Sequence, residues 1–416
     1  MNQIASPSKR RRVVIAGGGI AAVETLLALR SLAPTTQLDV VVVAPNEDLH
    51  YRPSTVNEPF SEPRARRYRL QAICDDLGAV LHAEPVRVVD GARREIATAS
   101  GERIAYDALV LAVGARPRPA IAHAHTFFAD INAGNLHGFV RDVEDGYVRA
   151  LACVVPPKAG WSLPLYELAL KTVARARSMG SEGLKLTIVT NEDVPLAAFR
   201  GAGSRAVAGL LEAAGIAILC STYVTAFDGR RLTLAPGGRS LEVDAALALP
   251  ELHGPALPGV PCDADGFIHA DEHGRVPGLD DVYAIGDATT FPIMQGGVAT
   301  QQADVVAALI ARSAGVDARE PRTRPVLRAI LLTGDEPLYL TATITGGESV
   351  ASQASTHCMW WPPHKVAARH LAPYLADRDE APDSARRHAL ETRRGDDPPR
   401  AHAEGEAGFE LLGRDA

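Results

Sequence analysis

The apolar positions open with an unbroken run, Val13-Val14-Ile15-Ala16, with no polar residue inside it. A strand with one wet face would alternate, so this run predicts a strand buried on both faces, as in a parallel sheet. Gly17-Gly18-Gly19-Ile20-Ala21-Ala22 follows, then a helical stretch as far as Arg30. A second apolar, β-branched run over 38–43 lies between Pro34 and Pro45. Strand, glycine turn, helix and strand make a βαβ unit, the opening of a doubly wound sheet. A short helix over 69–77 leads to a strand over 108–113. That strand stops at Gly114-Ala115-Arg116-Pro117-Arg118-Pro119, a proline-rich crossover that marks a domain boundary.

A second α/β block repeats the alternation, with strands over 151–155, 184–189 and 216–220 and helices over 163–176 and 204–214. Extended segments follow over 232–234 and 245–249, then a strand ending at Tyr283-Ala284-Ile285-Gly286-Asp287 and a long helix over 297–314. Past Pro321 the pattern becomes strand-like over 327–332 and 337–344. Trp360-Trp361-Pro362-Pro363 then precedes a short helix over 365–371, which Pro373 is expected to stop. From 378 to 416 charged and small residues dominate, a composition that buries too little surface to offset ordering and predicts a disordered tail.

Composition narrows the function classes. The 416 residues are 46% hydrophobic and 22% charged, which suits a soluble protein of two or three domains. The net charge of −7 argues against a nucleic-acid partner, and the basic cluster Lys9-Arg10-Arg11-Arg12 reads as a solvated N-terminal tail. No secretory signal and no unbroken apolar stretch of transmembrane length is visible, so a cytoplasmic location is expected. Cys74, Cys153, Cys220, Cys262 and Cys358 are odd in number, scattered and without a C-x-x-C, against both a disulfide framework and a cysteine zinc site. His269 and His273 lie four apart but between Gly266 and Gly274, so no helix presents them together, and no metal site is expected.

The strongest local motif is Gly17-x-Gly19-x-x-Ala22 on the first strand-to-helix turn. Gly17 permits the turn, Gly19 lets a pyrophosphate approach the backbone, and small Ala22 allows close packing of helix on strand. The helix N-terminus then offers unpaired N–H groups to the anion. With Gly286-Asp287 far downstream and Leu111-Ala112-Val113-Gly114 between, the set resembles the FAD-binding motifs of the two-dinucleotide-binding-domain flavoproteins, the pyridine nucleotide-disulfide oxidoreductase superfamily. That resemblance implies an α/β protein with tandem Rossmann-like FAD and NAD(P)-type domains and a small C-terminal α+β domain. Its boundaries would be a flexible 1–12, a discontinuous FAD domain over 13–118 and 246–320, an insert over 119–245, a C-terminal domain over 321–377 and a tail over 378–416. The implied cofactor set is Gly17, Gly18, Gly19, Ala22, Glu47, Arg52, Pro53, Val86, Gly114, Gly286, Asp287, Gln295 and Gly297, with Asp287 at the ribityl chain.

Two departures shape the functional reading. Ala44-Pro45 stands where the family carries an acidic residue for the adenosine ribose, so Asn46, Glu47 or backbone groups must substitute. In the insert, the loop Val155-Pro156-Pro157-Lys158-Ala159-Gly160-Trp161-Ser162 replaces the G-x-G-x-x-G that would receive NAD(P)H, which argues against that nucleotide in its usual pose. The altered loop, Tyr51-Arg52-Pro53 and Phe291-Pro292-Ile293-Met294-Gln295-Gly296-Gly297 are similar to sulfide:quinone oxidoreductases and flavocytochrome c sulfide dehydrogenases. Pro164-Leu165-Tyr166-Glu167 resembles their Pro-Ala-Tyr-Glu stretch, which implies Glu167 as a proton donor or acceptor; a helix-start glutamate satisfied by the dipole is the other reading. Met294 stands where those enzymes often carry a lysine.

Sulfide oxidation needs paired redox cysteines, and Trp161-Ser162 occupy the position of the expected loop cysteine. Cys153 lies mid-strand, which leaves Cys358 as the candidate redox thiol. The expectation is therefore an FAD-dependent oxidoreductase, sulfide:quinone-reductase-like, that passes electrons to a quinone or other small acceptor. The alternatives are an NAD(P)H-dependent quinone or ferredoxin reductase, and a non-catalytic flavin-binding sensor. Met359-Trp360-Trp361 leading to Lys365 suits either a peripheral contact with the inner membrane face or a segment packed over the flavin or at a homodimer contact.

Overall fold

The computed structural model describes residues 10–61, 65–129, 133–181, 183–319, 324–345 and 348–380. The expected tail lies outside them, apart from the end of the last helix. The described residues up to 376 form one compact unit.

Its first layer is a five-stranded parallel sheet in the order Val282–Ala284, Ala108–Leu111, Arg11–Ala16, Leu38–Val43, Val80–His82. Val13, Val14, Ile15 and Ala16 are fully buried, which is why the run shows no polar alternation. The helix Ile20–Leu32 covers one face and packs on Gly296–Ser313 through small side chains, Ala21 and Ala28 on one helix and Ala299 and Ala303 on the other. Arg11 and Arg12 belong to the first strand rather than to a solvated tail. Arg11 reaches Asp281 at 2.8 Å and Arg12 reaches Asp39 at 2.9 Å, so pairing with carboxylates at the sheet margin draws both into the strand.

The chain leaves this sheet through Arg116–Arg118, which pairs antiparallel with the returning Glu251–His253. Between them lies a second five-stranded parallel sheet, ordered His125–Thr126, Ala245–Ala248, Ala150–Val155, Lys185–Thr190, Ala217–Leu219. The C-terminal segment adds an antiparallel sheet, Val326–Leu331, Leu338–Thr345 and Glu348–Ser355, the third strand of which has no counterpart in the sequence reading. Its apolar face, with Leu327, Leu331 and Leu340, joins the core of the insert.

The short helix expected over 365–371 is absent; bends occupy 365–370, and the helix runs Leu371–Glu380. Pro373 stands in its first turn, where a missing N–H removes no intrahelical bond, so the proline begins this helix instead of stopping one.

Candidate cofactor and redox site

Three neighbouring strands deliver their C-terminal ends to one edge of the first sheet: Ala16 into Gly17, Leu111 into Gly114, and Ala284 into Gly286-Asp287. That edge is where open α/β sheets bind ligands. Gly17 has φ +127°, and a Cβ there would lie 2.2 Å from the Ala112 carbonyl oxygen, so the turn admits no side chain. A Cβ on Gly18 would strike Leu70 at 2.5 Å. Gly19 differs, since a Cβ there would meet nothing within 4 Å. It precedes a helix whose start has no side-chain cap, so open space faces a row of N–H groups that the helix leaves unpaired. Ala22 is buried beneath. Gly114 has φ +71° with no atom within 4 Å of a built Cβ, which leaves room along the same edge.

Gly286 has φ +67°, and its N–H donates to Gln302 Oε1 at 2.7 Å. Asp287 follows and accepts no hydrogen bond among the described residues. Burial pushes its carboxyl up, against the charge of Arg52, so the group is an acceptor in want of a hydroxyl donor. Arg52 and Pro53 open the 3-10 segment Arg52–Phe60. These features fit a bound dinucleotide: an open uncapped helix start for the pyrophosphate and an unsatisfied acidic acceptor for the chain beyond it.

The remaining residues expected at the cofactor also have contacts within the protein. Glu47 is exposed and pairs with Arg69 at 2.6 Å. Val86 pairs with Thr98 in a small antiparallel sheet. Gln295 caps the helix Gly296–Ser313, accepting from the Val298 N–H at 2.9 Å and donating to the Arg328 carbonyl at 3.0 Å. Gly297 lies buried under the Gln295 side chain. Glu24 is fully buried and accepts the N–H groups of His370 and Leu371 at 2.9 and 2.6 Å, beside Asp304.

Glu167 is fully buried on the helix Leu163–Ser178. It is not a helix-start glutamate satisfied by the dipole alone. Lys365 Nζ donates to both its oxygens at 2.6 and 2.7 Å, and the Leu332 N–H donates to Oε1 at 2.9 Å. Burial raises the Glu167 carboxyl and lowers the Lys365 ammonium, each opposed by the partner's charge. The two affinities for a proton are thereby drawn together. Lys365 was visible only as a basic residue after the tryptophans, and nothing local tied it to a position 198 residues earlier. Cys358 is exposed, with Sγ 2.9 Å from the Trp360 carbonyl oxygen, and all five cysteines are free. Cys153 is sealed within its sheet, and burial pushes its thiol up to about 12, which makes it inert.

In the insert, the loop between Ala150–Val155 and Leu163–Ser178 is tied to itself. The Ala159 N–H bonds the Pro156 carbonyl and the Trp161 N–H bonds the Ala159 carbonyl. Sequence reasoning missed Glu192, just past the strand Lys185–Thr190, where such folds carry an acid for a ribose. Here it is spent. Ser162 Oγ and the Ala197 N–H donate to Oε1 at 2.9 Å each, while Tyr166 and Thr190 hydroxyls donate to Oε2 at 2.7 and 3.0 Å.

The family model for pyridine nucleotide-disulphide oxidoreductases matches residues 9–146 and 167–303. The chain belongs to the pyridine nucleotide-disulphide oxidoreductase family. It is an FAD-dependent oxidoreductase of α/β architecture. The interval between the matched stretches, 147–166, contains the strand Ala150–Val155 and the altered loop that follows it. By sequence the chain is similar to the ferredoxin reductase component of chlorobenzene dioxygenase from Cupriavidus sp. (strain PS12), 27% identical over 297 residues that cover 68% of each chain. It is also similar to rhodocoxin reductase of Rhodococcus erythropolis, 26% identical over 68% of this chain and 65% of that protein. By structure it is similar to the sulfide:quinone oxidoreductase of Aquifex aeolicus, with TM-score 0.73 at 19% identity over 83% and 87% of the two chains. A ferredoxin reductase of Rhodopseudomonas palustris follows the fold with TM-score 0.60 at 21% identity, over 81% and 83%. Among the described residues no helix is long and apolar enough to cross a membrane.

Proposed function

We propose that this oxidoreductase passes electrons to a quinone or another small acceptor, and that its donor is not a nicotinamide nucleotide held in the usual pose. The carrying observation is Glu192, whose oxygens take four internal donors beside a loop without the glycine fingerprint. A nucleotide seated there would have to break that network and would meet Pro164 in the first turn of the following helix, where one N–H is missing.

FAD supplies the electron chemistry when bound. Gly19 and the N–H groups after it would hold its pyrophosphate, and Asp287 would accept from its hydroxyl chain. Glu167 and Lys365 are the proposed proton pair. Burial shifts the carboxyl up and the ammonium down, and Nζ lies 2.6 and 2.7 Å from the two carboxylate oxygens, a geometry in which a proton can pass between Nζ and Oε. Cys358 is an exposed free thiol.

The second reading, an NAD(P)H-dependent ferredoxin reductase, is supported by the two curated relatives, one of which is named a ferredoxin reductase component. Anaerobic mixing of the flavin-loaded protein with NADH, NADPH, sulfide and a reduced quinol separates the readings. Slow or absent bleaching by both nicotinamides is the expected result; bleaching within the mixing time by either one gives the function to the second reading.

A further inference from the structure

A cavity of about 430 Å³ opens at the C-terminal edge of the insert's sheet, bounded by the 156–162 loop, the 191–200 segment and the Pro292–Met294 stretch that follows the Gly-Asp turn. Its lining carries two cations and two anions, Lys158, Arg200, Glu192 and Asp265. Every one of these charges is already engaged. Lys158 Nζ lies 2.6 Å from Asp265, which holds that carboxyl below its usual range; Arg200 lies 2.7 Å from Asp193, with the same effect there. Glu192 carries its four donors.

What remains to meet a ligand is mostly apolar, together with Asn191 and the buried Ser349 hydroxyl, which has no hydrogen-bond partner among the described residues and could donate to a carbonyl oxygen. Pro156, Pro157, Trp161, Phe267, Ile293 and Met294 contribute walls, and Trp161 is held edge-on to Phe199, with ring centroids 6.1 Å apart. Met294 closes the floor, since a Cβ on Gly160 would lie 2.7 Å from its sulfur. A pyrophosphate entering such a space would lose its hydration and gain no free cation. A flat uncharged ring would displace water from indole, proline and thioether surfaces at little polar cost.

We propose that this cavity binds an uncharged planar aromatic molecule of the bicyclic quinone or quinol class, against the face of Trp161. The inference rests on the proposed function, because it names the class of acceptor for that reaction and places it in the insert.

The test is equilibrium binding of menadione to the FAD-loaded protein, followed by dialysis or calorimetry without any reductant. One saturable site is expected, weakened about tenfold by Trp161→Ala and little changed by Trp161→Phe. Met294→Lys keeps the indole and sets an unpaired cation in the cavity; it is expected to weaken menadione and to strengthen binding of NADP⁺. The flavin absorbance per chain reports whether each variant is folded. Menadione affinity indifferent to Trp161→Ala and Met294→Lys in folded variants would overturn the proposal, as would displacement of menadione by NAD⁺ from the unmodified protein. Binding that follows Trp161 while no donor bleaches the flavin sinks the proposed reaction alone. Quinone turnover without any Trp161 dependence of binding sinks this site alone.

Discussion

Gly17 and Gly19 stand two residues apart and carry different physical burdens. The first is required by the fold: its φ of +127° and the 2.2 Å approach of Ala112 leave no place for a methyl group. Gly17→Ala should therefore cost about 2 kcal/mol or more of stability, read as a lower denaturation midpoint of the flavin-free protein. The second has open space around it, since a Cβ there would meet nothing within 4 Å, and under the proposed function that space takes the ligand. Gly19→Ala should leave that midpoint within about 0.5 kcal/mol, yet reduce flavin retention about tenfold on gel filtration. Equal destabilisation by both would mean that Gly19 serves packing. Asp287→Ala should likewise release flavin without unfolding the chain, because the carboxylate has no hydrogen bond in the described protein to lose. The turn itself was legible in the sequence because it is local: strand, three glycines and helix suffice to place it. Glu47, Val86 and Gln295 were assigned by position along the chain, which does not reveal that Glu47 pairs with Arg69, that Gln295 caps Val298 or that Val86 pairs in register with Thr98.

At the scale of elements, the helix Leu371–Glu380 begins on a carboxylate from elsewhere. Glu24, one turn into the first helix, accepts its leading N–H groups. Burial and then the nearby Asp304 push Glu24 from 4.5 up to about 8, and burial pushes Asp304 up to about 7. Burial lowers the neighbouring His370 from 6.5 to about 4. The signs give a pH window. A carboxyl raised on folding contributes stability that is full below about 4.5 and is lost as the pH rises through 8. The depressed His370 contributes above 6.5 and loses its contribution as the pH falls through 4. The thermal unfolding midpoint should therefore fall between about pH 6.5 and 8, where Glu24 loses its contribution and His370 no longer adds one, and Glu24→Gln should flatten that slope; an unchanged slope in the variant would remove Glu24 from the account. None of this was readable from the helix itself, since Pro373 looked like a stop and its cap comes from 347 residues away.

For the whole molecule, the C-terminal segment serves two cores at once. Its antiparallel sheet joins the insert, while Val366, Leu371 and Leu375 join the core of the first sheet. Lys365 sits between these attachments and reaches Glu167 in the insert, so one buried ion pair ties the segment across the molecule. Removing one partner strands the other charge in a dry interior. Glu167→Gln should cost about 3 kcal/mol, and Glu167→Gln combined with Lys365→Met should recover much of it, measured by chemical denaturation. A double variant no better than the single one would show that the pair is not the source of the loss. If the pair also moves protons, the flavin's reoxidation by quinone should slow about a hundredfold in the folded double variant while its reduction is spared.

What the sequence by itself determined is whatever short-range physics decides: the doubly buried strands, the glycine turn, the Gly-Asp turn, the family, and the loss of the insert's glycine fingerprint. The tertiary structure decided everything that depends on which distant groups become neighbours in a low-dielectric interior. It set Lys365 on Glu167, spent Glu192 on Ser162, Tyr166, Thr190 and Ala197, and drew Arg11 and Arg12 into the sheet. Pairing of charges and satisfaction of acceptors are properties of proximity in space, and a one-dimensional pattern carries them only when the partners lie within a turn or two of each other.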